Sequence, residues 1–164
     1  MVLDLRRIFA NEGESLAIDT EFDFSDTELY GGYPLKKPVK AVGRVFNRAS
    51  IVTLDLVCTV EYSASCDRCL EPIVKTYTIP IKRTLVTKLF GEPNDEIIQL
   101  TDYKLELKEL CFTEVIVGIP NKHLCREDCK GLCPICGKNL NFGECDCKTE
   151  SVDPRLADLA QFLN

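Results

Sequence analysis

The sequence predicts an α+β protein: a mainly antiparallel, barrel-like β-sheet with one or two helices, followed by a cysteine-rich C-terminal segment. Three observations predict it. Val52, Leu54, Leu56, Cys58, Val60 and Tyr62 alternate with Thr53, Asp55, Val57, Thr59 and Glu61, the period-2 signature of a half-buried strand. Ile73, Tyr77, Ile79, Ile81 and Leu85 share one face of a second run, so the two runs and the short loop between them read as an antiparallel hairpin. Finally, six cysteines fall between Leu124 and Lys148, spaced as Cys125-x3-Cys129-x3-Cys133-x2-Cys136-x8-Cys145-x-Cys147.

A chain of 164 residues suffices for one domain with an appendage, and 45% hydrophobic content is globular. We expect a β-rich core over 1–120, a cysteine-rich segment over 121–148 and a C-terminal helix over 149–164. Apolar runs are short and broken by charge, so no membrane span is expected. The opening residues MVLDLRRIFANEGE place acids and arginines where a signal peptide needs an apolar stretch, which points to the cytoplasm and to reduced thiols.

Formal net charge is −6, which argues against a generic nucleic-acid coat. The charge is segregated. Leu35–Leu54 carries Lys36, Lys37, Lys40, Arg44 and Arg48, and Pro72–Gly91 carries Lys75, Lys82, Arg83 and Lys88, with no acid in either stretch. Over the other 124 residues acids outnumber bases 26 to 11.

In chain order, residues 2–9 are apolar enough for a strand or a short helix. Leu16, Ile18, Phe22 and Phe24 share a parity and predict a strand with one wet face. Tyr30-Gly31-Gly32-Tyr33-Pro34 is a turn. Residues 39–47 predict a strand with Lys40, Val42, Arg44, Phe46 and Arg48 on one face and Val39, Ala41 and Val45 on the other. After the hairpin, 94–102 is a loop holding a short strand near 97–100. Leu105–Ile119 predicts a helix through Leu107, Leu110, Cys111, Val115 and Val117, stopped by Gly118 and Pro120. At the end, Asp153 as N-cap and Pro154 at N1 start a helix whose Leu156, Leu159, Ala160 and Leu163 form one apolar stripe. That stripe docks on the parent sheet or serves as a partner-binding tail.

Cys58 and Cys111 fall in apolar rows and read as core. Eight cysteines remain. The hairpin tip carries Cys66-Asp67-Arg68-Cys69-Leu70, and Cys133-Pro134-Ile135-Cys136-Gly137 repeats the Cys-x-x-Cys spacing. In the second pair Pro134 fixes φ at the bend and Gly137 can take φ > 0, which lets backbone amides face two thiolates converging on one ion and makes the segment a zinc knuckle. The preferred division puts Cys133, Cys136, Cys145 and Cys147 on one zinc, and Cys66, Cys69, Cys125 and Cys129 on another. A single shared site of Cys66, Cys69, Cys133 and Cys136 competes, because spacing alone does not rank the two. Each filled four-thiolate site adds about −2 to the net charge, and structural zinc supplies about 10–16 kcal/mol that is released only on folding. Four thiolates leave no open coordination position, so catalytic zinc is not expected. Cys66-x-x-Cys69 also permits thiol redox or metal-donor chemistry, though a hairpin tip lacks the helix N-terminus that lowers a thiol pKa. His123, the only histidine, is a weaker candidate ligand, and no nucleophile–base constellation stands out.

Through Cys66-x-Arg68-Cys69-Leu70, the run Cys129-Lys130-Gly131-Leu132-Cys133-Pro134-x-Cys136-Gly137-x-Asn139-Leu140-Asn141, and Asp153-Pro154-Arg155, the chain resembles the bacterial YceD family. The resemblance spans nearly the whole chain. It implies a role in the accumulation of large-subunit (23S) ribosomal RNA, and so in ribosome assembly, without established catalytic residues. Some members of that family lack the C-terminal cysteines, which implies zinc that braces the fold rather than performing the shared function. On this basis the expected partner is ribosomal RNA or a basic large-subunit ribosomal protein, with no membrane and no small-molecule substrate. Lys40, Arg44 and Arg48 would track phosphates, with Phe46 among them as a stacking ring.

Overall fold

The computed structural model describes residues 1–89, 92 and 94–147. The helix expected over 153–163 lies outside these residues. Among the described residues nine elements follow one another: β1 (Val2–Asp4), α1 (Arg6–Ala10), β2 (Ser15–Phe22), β3 (Val39–Arg48), β4 (Ile51–Ser65), β5 (Pro72–Val86), β6 (Ile97–Gln99), β7 (Lys104–Glu106) and α2 (Leu107–Gly118). The chain divides into two compact units, residues 1–64 with 74–121, and residues 65–73 with those from Lys122 onward.

In the first unit, strands run in the order β2-β3-β4-β5-β6, and β1 pairs separately with β7. β3 pairs antiparallel with both neighbours, Ile18 facing Gly43 and Gly43 facing Leu56. β4 and β5 are adjacent, as the alternation of 52–62 and 73–85 predicts. β6 runs parallel to β5, with Leu85 opposite Ile98. The sheet therefore does not close into the expected barrel. β6 offers three residues, too short an edge to pair with the eight of β2, and each of the two remains an end of the sheet.

Parity on β3 follows the sequence. Val39, Ala41 and Val45 are buried, and Lys40, Val42, Arg44 and Arg48 are exposed. Val52, Leu54, Leu56, Cys58 and Val60 of β4 turn the same way, and the core is completed by Leu5, Ile8, Leu35, Ile81, Leu85, Leu107, Cys111 and Val115. Cys58 and Cys111 are both fully buried there, as expected of core thiols. Gly43 is needed by this packing. A Cβ on it would overlap the carbonyl oxygen of Asp55 and lie 2.7 Å from Leu56 Cα. The segment 2–9, ambiguous between strand and helix, is both: a three-residue strand and then a one-turn helix.

Two tight turns carry no glycine. Ala49 and Ser50 both have positive φ, 51° and 62°, in the two-residue loop between β3 and β4, the geometry of a type I′ hairpin. The Ala49 N–H donates to Glu12 Oε1 at 3.1 Å, which helps hold that turn. Asp102 and Tyr103 repeat the geometry, at φ 52° and 59°, before β7.

Helix α2 begins two residues later than the sequence suggests, because 104–106 extend to pair with β1 and Glu106 makes no side-chain cap. Its buried face is Leu107, Cys111 and Val115, a narrow i, i+4, i+8 stripe. Val117, placed in that stripe by spacing, is instead 79% exposed. Gly118 lets the helix end lie close on β5, since a Cβ there would be 2.9 Å from Ile79 Cγ2.

Candidate metal centres

The second unit contains the eight candidate ligands in two groups of four. Cys66, Cys69, Cys125 and Cys129 form the first, Cys133, Cys136, Cys145 and Cys147 the second, and within each the sulfurs lie within 4.8 Å of one another. The competing arrangement, in which Cys66 and Cys69 share an ion with Cys133 and Cys136, is not what the fold brings together. In the first group Cys66 Sγ lies 3.8 Å from Cys129 Sγ, and Cys69 Sγ lies 3.6 Å from Cys125 Sγ. Tetrahedral coordination with bonds of about 2.3 Å separates sulfurs by about 3.8 Å, so the spacing suits one ion. It does not suit a disulfide, whose sulfurs sit at about 2.05 Å. None of the ten cysteines is joined in a disulfide.

Both Cys-x-x-Cys turns share one backbone design. Leu70 N–H donates to Cys66 O at 2.9 Å, and Gly137 N–H donates to Cys133 O at 2.9 Å. Cys66 N–H reaches Glu71 O at 2.8 Å and Cys133 N–H reaches Lys138 O at 2.9 Å. The residue after the second cysteine is left-handed in each, Leu70 at φ 61° and Gly137 at φ 74°. This folds amide hydrogens toward sulfur. The Ile135 nitrogen lies 3.4 Å from Cys133 Sγ within the second turn, whereas Cys66 Sγ accepts at 3.3 Å from the Cys125 N–H, which arrives from the C-terminal segment.

The first group is closed in. Cys66, Cys69 and Cys129 are 0%, 4% and 1% exposed, with Ile73, Leu124 and Leu132 packed against them. Asn141 Nδ2 donates to Cys129 Sγ at 3.3 Å, while its Oδ1 accepts from Lys130 N–H at 2.8 Å. Arg68 Nη1 donates to Cys129 O at 2.7 Å, and Leu132 N–H donates to Arg68 O at 3.1 Å. Gly131 makes this crossing possible. It is left-handed at φ 76°, and a Cβ would lie 3.0 Å from Arg68 O.

The sulfurs of each group are electrostatically unequal. Burial opposes ionisation of Cys66, but amide hydrogens of Cys125, Arg68 and Cys69 outweigh it and bring the thiol down to about 6. Amides of Cys136 and Ile135 likewise bring Cys133 to about 6. Cys125 is pushed up to about 12 by burial and by sharing protons with neighbouring sulfurs. Cys147 rises to about 12 through its proton-sharing contact with Cys136, followed by burial. Each metal-free group thus combines a ready thiolate with thiols that stay protonated until a cation arrives. Such a donor set could hold a soft or borderline metal ion.

His123 belongs to neither group. Its backbone is tied to Asp67, the His123 N–H donating to Asp67 Oδ2 at 2.6 Å and the Asp67 N–H to His123 O at 2.8 Å. The residues that sequence reasoning left without a role are Arg68, Gly131, Asn141 and Asn139, whose Nδ2 donates to Glu71 Oε1 at 3.3 Å and whose Oδ1 accepts the Asn141 N–H at 3.0 Å. All four lie inside the quoted motifs, which was the signal available.

On β3 of the first unit, Lys40, Arg44, Phe46 and Arg48 do share the outer face. They are not alone there. Arg44 stands opposite Asp55, Lys40 opposite Glu21, and Lys40 Nζ lies 4.0 Å from Asp19 Oδ1. The Arg44 guanidinium sits 4.9 Å over the Phe46 ring, so that ring already carries a cation.

A mixed-sheet domain whose hairpin tip joins a C-terminal segment in a double four-cysteine module defines the class of protein. Its family follows from comparison with known proteins: residues 54–163 match the model of the large ribosomal RNA subunit accumulation protein YceD, and the chain belongs to that family. Over 107 residues it is 32% identical to the uncharacterized protein Rv2926c of Mycobacterium tuberculosis and to the uncharacterized protein Mb2951c of Mycobacterium bovis, covering 60% of this chain and 49% of each relative. The chain thus spans about half the length of these curated relatives. The uncharacterized protein YlbN of Bacillus subtilis is 26% identical over 153 residues, 92% of this chain and 89% of the relative. No solved structure matches it. Among the described residues no helix is long and apolar enough to cross a membrane.

Proposed function

We propose that this chain is a non-catalytic, cytoplasmic ribosome-assembly factor that supports accumulation of 23S ribosomal RNA, with two structural zinc ions in its cysteine module. Membership of the YceD family carries this reading, since the family is described by large-subunit RNA accumulation. Zinc is the metal that the chemistry favours, because four thiolates at tetrahedral spacing in a reduced compartment suit it. The ions brace a segment that has little else to hold it. The apolar cluster of the second unit consists of cysteines with Ile73, Leu124 and Leu132 around them. The redox alternative at Cys66 and Cys69 needs a thiolate that a substrate can reach, and both sulfurs are buried.

RNA phosphates would meet the outer face of β3, where Lys40, Arg44 and Arg48 are exposed, whereas a basic ribosomal protein would be received by the acidic remainder of the chain. The acids opposite them would restrict contact to a partner that follows the basic row, repelling phosphates placed beside it. Depleting the protein and measuring 23S against 16S ribosomal RNA tests the function, with rescue by the natural chain as reference. Lys40→Gln, Arg44→Gln and Arg48→Gln together test the surface. Glutamine is chosen because glutamate opposite Glu21 and Asp55 would destabilise the sheet more than loss of the cross-strand attraction does, and a melting curve of the triple variant separates that smaller loss from an effect on RNA. The reading expects loss of 23S RNA on depletion and failure of the triple variant to restore it. Normal 23S levels in depleted cells would end it.

A further inference from the structure

The two four-cysteine groups are built differently, and the difference has a chemical consequence. In the first, ligands arrive from segments far apart in sequence, Cys66 and Cys129 being 63 positions from one another. Three of its four thiols are almost wholly buried, with Ile73, Leu124 and Leu132 packed against the cluster. Cys66 Sγ accepts from the Cys125 N–H and Cys129 Sγ from Asn141 Nδ2, both at 3.3 Å, and in the second group Cys133 Sγ accepts from the Ile135 N–H at 3.4 Å. In the second group all four ligands lie between Cys133 and Cys147. Cys133 is 3% exposed, but Cys145 and Cys147 are only half-buried and Cys136 is open to solvent. Ile135, between the first two ligands, is 61% exposed and shields nothing.

We propose that the second centre is an exchangeable metal site, entered at Cys136, whereas the first retains its metal. This rests on the reading of both groups as metal centres. Metal leaves a four-thiolate site by substitution. An incoming donor forms a bond to the ion as one Cys–metal bond breaks, and the displaced thiolate leaves with its electron pair and takes a proton from water. No electron is transferred. The step needs a sulfur that a donor can approach and that can swing away. Cys136 meets both conditions in the second centre. In the first, the thiols have little room to leave, and the amide hydrogens that hold them would be lost as they moved. The acceptor class is a multidentate soft donor, such as a thiol-rich metal carrier. The consequence is a module whose outer half can follow metal supply while its inner half stays pinned to the hairpin tip.

The test uses the full purified chain, kept reduced, with native mass spectrometry counting the metal bound. Excess EDTA is then added, with N-ethylmaleimide to trap freed thiols and peptide mapping to locate them. The proposal expects the loss of one metal equivalent in a separate fast phase, with the second equivalent still bound when that phase is complete. Labelling should appear first at Cys133, Cys136, Cys145 and Cys147, with Cys66, Cys69, Cys125 and Cys129 still protected. Cys136→Ser should hold one equivalent that leaves at the slow rate of the natural chain. Two metals leaving together, or first labelling at Cys66 or Cys69, would overturn the inference while leaving the metal centres standing. A natural chain that carries no metal would overturn both.

Discussion

Asn141 offers the sharpest test of the first metal centre, because one side chain performs two separable tasks. Its Nδ2 donates to Cys129 Sγ at 3.3 Å, and its Oδ1 accepts the Lys130 N–H at 2.8 Å. A hydrogen bond to a charged acceptor is worth about 1.5–3 kcal/mol, and a metal-bound thiolate is such an acceptor. Each 1.4 kcal/mol is about a tenfold change in affinity, so Asn141→Ala should weaken metal binding at the first centre by about 10- to 100-fold. Loss of the Lys130 acceptor also costs about 1 kcal/mol of folding stability, since that amide must find water instead. Asn141→Asp separates the tasks. It keeps an acceptor for Lys130 but turns a carboxylate oxygen toward a thiolate, so metal affinity should fall further than in the alanine variant. Competition with a chelator, read as metal bound per chain by native mass spectrometry, measures each. Affinity at the first centre unchanged in Asn141→Ala, or a loss confined to the second centre, would refute the account.

Three other outcomes follow from the same structure. Gly43→Ala should destabilise the first unit by about 1–3 kcal/mol through overpacking against Asp55 and Leu56, seen as a lower denaturation midpoint at unchanged metal content. Metal binding to the metal-free protein at neutral pH should release at least two protons per centre. Cys125 and Cys147 sit near 12, and Cys69 and Cys145 lie above the ordinary thiol value of 9.0, so all four must deprotonate; calorimetry in buffers of different ionisation enthalpy counts them, and affinity must rise with pH. Chelation should strip hydrogen-exchange protection from the amides of Cys66, Leu70, Cys133 and Gly137, whose bonds define the knuckles, while β3 and β4 amides keep theirs.

What could be read from the sequence was whatever is encoded locally. The long strands were legible because burial on one face imposes a period of two over ten or more residues, and β3, β4 and β5 all obey it. The eight candidate cysteines were separable by sequence because the two core thiols, Cys58 and Cys111, sit in apolar rows. Their preferred division is the one the fold brings together, but spacing alone did not decide it, since Cys66-x-x-Cys69 and Cys133-x-x-Cys136 are interchangeable in linear sequence. The β3–β4 turn escaped for the opposite reason: Ala49-Ser50 takes a conformation that Asn-Gly would advertise. Parallel β6 and the β1–β7 ribbon depend on three-residue strands, too short to carry a pattern.

The basic row on β3 shows why a one-dimensional charge map misleads about surfaces. Lys40, Arg44 and Arg48 occur in a stretch without acids, yet cross-strand pairing is set by register, not by sequence distance. β2 brings Glu21 and Asp19, and β4 brings Asp55, to the same outer face. Opposite charges across strands contribute about 0.2–1 kcal/mol per pair, so part of this row serves the sheet itself. Arg44 is the most committed, facing Asp55 on one side and lying over Phe46 on its own strand. Arg48 faces Ile51 and stands nearest the end of the hairpin, so it is the residue of the three with the least intramolecular use. If the face contacts RNA, Arg48→Gln alone should therefore weaken binding without changing thermal stability, whereas Arg44→Gln should lower both. A filter-binding titration beside a melting curve separates them, and equal stability losses in both variants would show that register does not divide the row this way.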